Sequence, residues 1–153
     1  MADYIMELRQ LVGHRPLIYV GASVIVVDKD GALLLQQRRD CLAWGYAGGA
    51  VELYEDVQDT ARRELFEETG IRAGEMTLLG VYSGERMRHV YPNGDQVSCI
   101  DIVYVCRDWT GTPRAQESEV AAIGFFPPDA LPTPLFAPNL PAIEDYLQKY
   151  HQT

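Results

Sequence analysis

The sequence contains few cysteines and no long hydrophobic run. Its three cysteines, Cys41, Cys99 and Cys106, form no CxxC pair and no zinc-type spacing, so neither a disulfide scaffold nor a cysteine-based metal site is expected. A sparse, odd count is typical of a reducing compartment. The longest apolar runs, such as Ala22–Val27, are too short to cross a bilayer, and the first residues contain no apolar signal-peptide core. We therefore predict a soluble protein with no membrane partner and a cytoplasmic location.

Basic residues are also scarce. The chain has 13 Lys and Arg against 22 Asp and Glu, which gives 13 − 22 = −9. Domains that bind a nucleic-acid backbone are usually basic, so nucleic acid is not expected as a partner. A small anionic substrate remains compatible with this charge, provided that arginines or a bound cation supply positive charge locally.

Nothing in the composition indicates disorder or several domains. The chain has 153 residues, of which 47% are hydrophobic and 23% are charged, close to the average of globular proteins. It contains no internal repeat and no linker-like segment, and this length is sufficient for one hydrophobic core. We predict a single domain over 1–153.

Residue patterns along the chain predict alternating strands and helices. Because Asp56–Thr69 has no glycine or proline and is followed by Gly70, it is predicted to be a helix that ends there. The first two strands, joined by a turn at Asp28–Gly31, are predicted to form a β-hairpin. The mixture favours an α/β sandwich with a mixed sheet over a purely parallel one. Strands are predicted at 18–27, 32–37, 76–84, 88–91, 97–107 and 121–126, and further helices at 4–11 and 141–150.

The helix at 56–69 carries a cluster of carboxylates. At about 100° per residue, Glu64, Glu67 and Glu68 lie within an arc of roughly 100° on one face. Carboxylates this close repel one another, and hard divalent cations such as Mg²⁺ or Mn²⁺ remove that repulsion. The alternative is a solvated acidic face, in which Glu67 pairs with Arg63 four residues earlier.

The residues around this helix match a longer pattern, G-x5-E-x7-R-E-U-x-E-E-x-G-U, where U is a bulky aliphatic residue. In this pattern and in the strand order around it, the sequence resembles the Nudix hydrolase family, and specifically its MutT-like, single-domain members. The motif covers residues 49–71, and residues 1–16 form a short N-terminal extension within the predicted domain of 1–153. Every fixed position is matched, by Gly49, Glu55, Arg63, Glu64, Leu65, Glu67, Glu68, Gly70 and Ile71.

The resemblance implies an α/β/α sandwich with a mixed sheet, and a reaction in which water attacks a phosphorus atom of a nucleoside diphosphate linked to another group, X. It implies Mg²⁺ as the cofactor, with Mn²⁺ as a substitute. The main ligands would be Glu64 and Glu68, with Glu67 as a further ligand or as the base, and the carbonyl of Gly48 as a backbone ligand. Glu55 would pair with Arg63 and hold the carboxylates in position.

Other positions are candidates for the general base or for substrate contacts. The base is predicted to be Glu117 or Glu67, with Glu119 and Glu52 as alternatives. Arg38, at the end of the second strand, is the first candidate to hold a phosphate. Glu52 and the backbone of Gly49 are further candidates for substrate binding. A glycine pair at 48–49 leaves room for the backbone to approach a metal or phosphate, although a simple tight turn is the alternative.

Two positions depart from the pattern that many members show. Tyr54 stands where many have glycine, and Ala47 where many have proline. Neither change removes a proposed ligand, but both are expected to change the stiffness of the loop, and Tyr54 leaves the exact loop shape open.

The motif leaves the substrate and the assembly open. Nucleoside triphosphates, including deoxynucleotides, and nucleotide sugars are equally compatible with it. The alternatives are a catalytically inactive nucleotide-binding domain and, against the charge of −9, an enzyme that removes pyrophosphate from RNA ends. The segment 77–106 could offer a strand edge to a second copy in a homodimer.

Overall fold

The structure is a computed structural model that describes residues 3–151, so residues 1–2 and 152–153 of the predicted domain lie outside it. Within this range no helix is long and apolar enough to span a membrane. The described residues form helices α1 (Asp3–Val12), α2 (Val57–Thr69) and α3 (Leu140–Tyr150) and strands β1 (Leu17–Val26), β2 (Leu33–Arg38), β3 (Trp44–Gly45), β4 (Ala47–Ala50), β5 (Arg72–Ala73), β6 (Thr77–Tyr82), β7 (Arg88–Val90), β8 (Gln96–Cys106), β9 (Trp109–Thr110) and β10 (Val120–Phe126).

The main sheet is mixed, as the sequence predicts. Its strand order is β4-β1-β8-β6, and β7 also pairs with β8. Strands β1 and β8 run parallel over ten residue pairs, from Leu17 opposite Val97 to Val26 opposite Cys106. The other pairings in this sheet are antiparallel. A second sheet has the order β10-β2-β3, and β5 pairs with β9.

The predicted hairpin between the first two strands is wrong. Strand β1 pairs with β4 along one edge and with β8 along the other, so neither edge is free for β2. Only a single bridge, between Val27 and Leu33, joins the two segments across the turn. Strand β2 therefore leaves the main sheet and pairs with β10 and β3.

The main sheet lies between two helices. On one face Ile25 and Val27 belong to the same hydrophobic cluster as Ile143 of α3. On the other face Val24 and Val26 share a cluster with Leu65 of α2. Successive residues of a strand point to opposite faces, so a nearly continuous apolar run is what a strand covered on both sides requires. Strand β1 is therefore covered on both faces.

Helix α2 has the ends that the sequence predicts. The side chain of Asp56 caps its N-terminus by accepting a hydrogen bond from the Gln58 amide at 2.8 Å. Gly70 ends it in a left-handed conformation, with φ of 76°. The short strand β4, however, was not predicted. Gly48 and Gly49 lie within it, so the alternative of a tight turn at this pair is wrong.

Tyr54 adopts a backbone conformation that suits glycine. Its φ is 64° and its side chain is fully exposed. A left-handed residue with a Cβ costs about 1–2 kcal/mol, whereas a glycine adds about 0.4–1 kcal/mol of unfolded-state entropy. We expect Tyr54→Gly to raise the free energy of unfolding by up to about 1 kcal/mol in urea titrations. Tyr54→Ala, which keeps the Cβ, is the control, and a glycine variant less stable than the alanine variant would contradict the prediction.

Candidate active site

Two carboxylates of α2 face strand β4. Glu68 Oε2 accepts a hydrogen bond from the Gly48 amide at 2.9 Å. Glu64 is buried and packs directly against Gly49, where an added Cβ would lie 2.3 Å from Glu64 Cδ. The preceding residue is packed equally tightly, because a Cβ on Gly48 would lie 2.0 Å from Ser23 Oγ of strand β1. Gly49 therefore lets Glu64 approach the strand backbone closely, whereas Gly48 makes room for Ser23 of the neighbouring strand.

Arg63 connects the carboxylates to the loop that precedes α2. Its Nε and Nη2 donate to the two carboxylate oxygens of Glu55 at 2.8 and 3.0 Å, and its Nη1 donates to Glu64 Oε1 at 2.9 Å. Glu55 also accepts from the Thr60 hydroxyl at 2.5 Å. The hydrogen bonds from Arg63 lower the pKa of Glu55 to about 2. Glu55 is thus a fixed anion that orients Arg63, and Arg63 orients Glu64.

The guanidinium of Arg63 contacts Glu55 and Glu64 at the same time, and this leads to a prediction. A lysine has one ammonium and cannot contact Glu55 and Glu64 in the same geometry. We expect Arg63→Lys to lower kcat by about 10–100-fold and to raise the divalent-cation concentration that is needed, because residues that orient carboxylates at a metal site have effects of this size. Arg62→Lys is the matched control, since Arg62 donates to the backbone oxygens of Ala73 and Gly74 instead. Turnover of Arg63→Lys within twofold of wild type would contradict this role.

The pair Glu64 and Glu68 is electrostatically unfavourable when both groups are charged. Burial, together with the nearby charge of Glu64, raises the pKa of Glu68 to about 8. Burial also raises the pKa of Glu64, although Arg63 opposes that shift. A buried and a half-buried carboxylate, both with raised pKa values, are a hard oxygen donor set that a divalent cation would neutralise.

The protein side chains supply only part of a coordination sphere. Among the side chains that the structure describes, those of residues 4–151, no three His, Cys, Asp or Glu are arranged together to hold a metal ion. Mg²⁺ commonly takes only one or two carboxylates from the protein and completes its shell with water and substrate phosphate oxygens. The residues present fit that mode of binding.

The carboxylates open onto a cavity of about 570 Å³. Glu64, Glu68, Glu119 and Arg38 are among the residues that line it. A smaller pocket of about 70 Å³ continues beyond Gly48 and is lined by aromatic side chains, among them Tyr19, Tyr46, His89, Tyr91 and Phe136. This arrangement offers space for a nucleotide beside the carboxylates.

Arg38 lies where the two cavities meet. Its Nε and Nη2 donate to the carboxylate of Asp40 at 2.9 and 2.8 Å, and this contact lowers the pKa of Asp40. Its guanidinium carbon also lies 4.4 Å from the ring centroid of Phe136. Arg38 is therefore held in place by an acid and an aromatic ring.

Three predicted residues lie further from the cavity. Glu67 is exposed and its Oε2 is 3.4 Å from Arg63 Nη1, the i,i+4 contact expected from the sequence. A carboxylate oxygen of Glu52 accepts a hydrogen bond from the Tyr4 amide at 3.3 Å. Glu117 is exposed, and its backbone oxygen accepts a hydrogen bond from the Arg39 side chain. None of the three is among the cavity-lining residues that the structure describes.

The sequence analysis missed a buried polar network in the smaller pocket. Asp101 is buried and accepts hydrogen bonds from Ser23 Oγ at 2.8 Å and from the Tyr46 hydroxyl at 2.9 Å. Asn139 Oδ1 accepts from the Tyr46 amide at 3.1 Å. Gln36 is buried as well, and its side chain opposes the rise in the pKa of Glu68. A single acid within the apolar run of β8 was the available signal, because buried carboxylates are rare unless paired.

The family of the chain follows from comparison with known proteins. The sequence profile described as "NUDIX domain" matches residues 18–146, which includes the carboxylate helix and the glycine pair. The chain belongs to the Nudix family. The Nudix match ends within α3 and begins after α1. As a Nudix hydrolase, the protein acts on acid anhydrides in phosphorus-containing compounds.

Individual Nudix relatives agree with this assignment. The chain is 33% identical to a MutT-like protein of Streptomyces ambofaciens over 114 residues, which are 74% of this chain and 67% of the relative. It is 31% identical to the CTP pyrophosphohydrolase of Escherichia coli over 126 residues, which are 80% of this chain and 87% of the relative. With several other relatives, the chain spans less than half of the relative's length.

A crystal structure of a MutT NUDIX hydrolase from Burkholderia pseudomallei superposes with a TM-score of 0.72 at 32% identity. The match covers 84% of this chain and 98% of the other. The α/β/α sandwich predicted from the sequence is confirmed.

Proposed function

We propose that this Nudix hydrolase uses Mg²⁺ to hydrolyse the pyrophosphate bond of a nucleoside diphosphate linked to a group X. The substrate would be either a nucleoside triphosphate, including deoxynucleotides, or a nucleotide sugar. The observation that carries the proposal is the pair Glu64 and Glu68, held against Gly48 and Gly49 at the edge of the 570 Å³ cavity. The whole chain, 1–153, would act as one domain.

Glu64 and Glu68 would hold the cation together with the Gly48 carbonyl, and Mn²⁺ would be an adequate substitute. In an antiparallel strand the N–H and C=O of one residue leave the same edge, so the Gly48 carbonyl lies on the same edge as the amide that contacts Glu68. When bound, Mg²⁺ withdraws charge from the pyrophosphate oxygens and orients the phosphorus for attack by water. Gly49 would let the phosphate approach the backbone.

The chain's own side chains would then orient substrate and water. Arg38 would hold a phosphate, and Glu52 remains a further candidate for substrate binding. Glu67, beside the two main ligands, would be a further metal ligand or the base. For the general base the loop before β10 provides Glu117 and Glu119, and Glu119 is the one that lines the cavity with Glu68. The base can be identified from pH–rate profiles of three variants, Glu119→Gln, Glu117→Gln and Glu67→Gln. Only the loss of the base should remove the fall in rate at acidic pH.

A hydrolysis screen tests the proposal. The purified protein would be incubated with deoxynucleoside and ribonucleoside triphosphates, oxidised deoxynucleotides, ADP-ribose, nucleotide sugars and dinucleoside polyphosphates. Each reaction would be run with Mg²⁺, with Mn²⁺ and with EDTA, and the products separated by chromatography. We expect cleavage of one substrate group with either metal and none with EDTA. Nucleotide binding without cleavage would instead support an inactive binding domain.

Cation binding should depend on pH. Because the charged carboxylate is the ligand and the pKa of Glu68 is raised to about 8, the cation must displace a proton below that pH. We expect Mn²⁺ affinity, measured by calorimetry without nucleotide, to fall by about tenfold per pH unit below 8 and to level off above it. In Glu68→Gln this dependence should be much weaker. An affinity that is constant between pH 6 and 9 would contradict this assignment.

Location and assembly stay predictions. A cytoplasmic protein without a nucleic-acid partner remains the expectation from composition. A homodimer could form through β6, which ends the main sheet and exposes Leu78 and Val81. Size-exclusion chromatography with light scattering would support the dimer at twice the chain mass of 17.2 kDa and contradict it at that mass.

A further inference from the structure

The cavity beside the carboxylates has a wall that lies outside the matched Nudix region. Ile5, Met6 and Arg9 of α1 line it, together with Glu64 and Glu68. The family match begins only at residue 18. An element that precedes the matched region thus contributes directly to the space around the candidate metal ligands.

Helix α1 is attached at both ends of this cavity. The buried Arg9 donates from Nη1 to the backbone oxygens of Gly13 and Arg15 at 3.1 and 2.6 Å, and from Nη2 to that of Gln96 at 2.5 Å. Its Nε lies 3.7 Å from the carboxylate of Asp95. These contacts fix α1 to the turn between β7 and β8.

The other attachment is at the loop between β4 and α2. There the Tyr4 amide donates to the Glu52 carboxylate at 3.3 Å. Because both attachments flank the cavity, α1 spans it as a fixed wall and its inner side chains limit what can enter. This placement also explains why Glu52 is directed toward α1.

The chemistry of the walls indicates what they can hold. Only two cationic side chains, Arg9 and Arg38, line this cavity among the described residues. Arg9 is bonded to three carbonyl oxygens, and Arg38 is bonded to both oxygens of Asp40. Arg38 is already assigned to a phosphate of the diphosphate, so an additional phosphate next to α1 would meet only Arg9, whose donors are taken by carbonyl oxygens.

The same walls carry neutral polar and aromatic groups. Tyr19, Tyr91 and Asn93 line the same cavity as Ile5 and Met6. Aromatic faces combined with amide and hydroxyl groups suit a ring that has apolar faces and hydroxyl edges. A sugar has this character, whereas a terminal phosphate does not.

We propose that α1 forms the outer wall of a subsite for group X and that this subsite takes an uncharged, hydroxylated ring. The inference rests on the proposed function, since it places X beside the same carboxylates. It assigns α1, and Met6 in particular, to substrate selection.

The test uses a pair of tryptophan variants in the full chain. Met6→Trp fills the wall facing the cavity, and Met6 is half exposed, so the fold should accept the change. Leu11→Trp is the control, because Leu11 is 83% exposed and does not line the cavity. Both are assayed with Mg²⁺ on a nucleotide sugar and on the triphosphate of the same nucleoside.

In the wild type we expect kcat/KM to be at least tenfold higher for the nucleotide sugar than for the triphosphate. Met6→Trp should raise KM for the nucleotide sugar at least tenfold and change KM for the triphosphate less than twofold. Leu11→Trp should leave both within twofold. If Met6→Trp does not fold, Met6→Glu, which places a charge in the same wall, should shift KM in the same direction.

Three results would overturn the inference: a wild-type preference for the triphosphate, equal effects of Met6→Trp on both substrates, or equal effects of the two variants. Failure of the proposed function is distinct, because the folded wild type would then cleave neither substrate. In that case calorimetric binding of the nucleotide sugar decides the inference. At least tenfold weaker binding to Met6→Trp supports the subsite, and equal binding overturns it.

Discussion

Replacing Glu68 with glutamine should reduce turnover by about 10³-fold or more, because cation-assisted stabilisation of the transition state is worth several kcal/mol. The amide keeps the size of the side chain, and its oxygen can still accept the hydrogen bond from Gly48. It cannot carry the negative charge that a divalent cation requires.

The fold should survive this change. Burial disfavours the charged form of Glu68, so a neutral amide at this position should leave the thermal midpoint without metal unchanged or higher. The measurements are kcat with saturating Mg²⁺ and thermal unfolding with EDTA. Glu75→Gln, at an exposed position, is the control for removing one negative charge. Turnover of Glu68→Gln within tenfold of wild type would show that Glu68 is not a metal ligand.

Gly49→Ala should have the second largest effect. The new Cβ would lie 2.3 Å from Glu64 Cδ, far inside van der Waals contact, so the carboxylate must leave its position. Glu64 is buried and accepts a hydrogen bond from Arg63. Its displacement should therefore also disturb the contact between Arg63 and Glu55. We expect turnover to fall by about 10²-fold, the size of effect that a misplacement of about 1 Å has on catalysis.

Gly124→Ala is the matched control for that variant. Gly124 also lies in a strand, and its nearest neighbour would be 3.5 Å from an added Cβ, an ordinary contact. We expect it to retain wild-type turnover. Equal turnover of the two alanine variants would mean that close contact between Gly49 and Glu64 is not needed for activity. Crystal structures of both variants would show whether Glu64 has moved.

The sequence by itself determined the carboxylate helix and its ends. The positions of Glu64, Glu67 and Glu68 on one face follow from helical periodicity, and Asp56 and Gly70 mark the helix ends by local hydrogen bonding and a left-handed φ. These features depend on residues within a few positions of one another. The matched motif then carried the expectation of family and reaction.

Only the tertiary structure decided which distant residues meet these carboxylates. Strand β1 has both edges paired, so β2 joins a different sheet, and no local pattern in the two segments indicates this. The same holds for Glu119 lying beside Glu68 and for α1 covering the cavity. These contacts join segments far apart in the chain, and the packing of the whole domain selects among the many pairings that each local pattern permits.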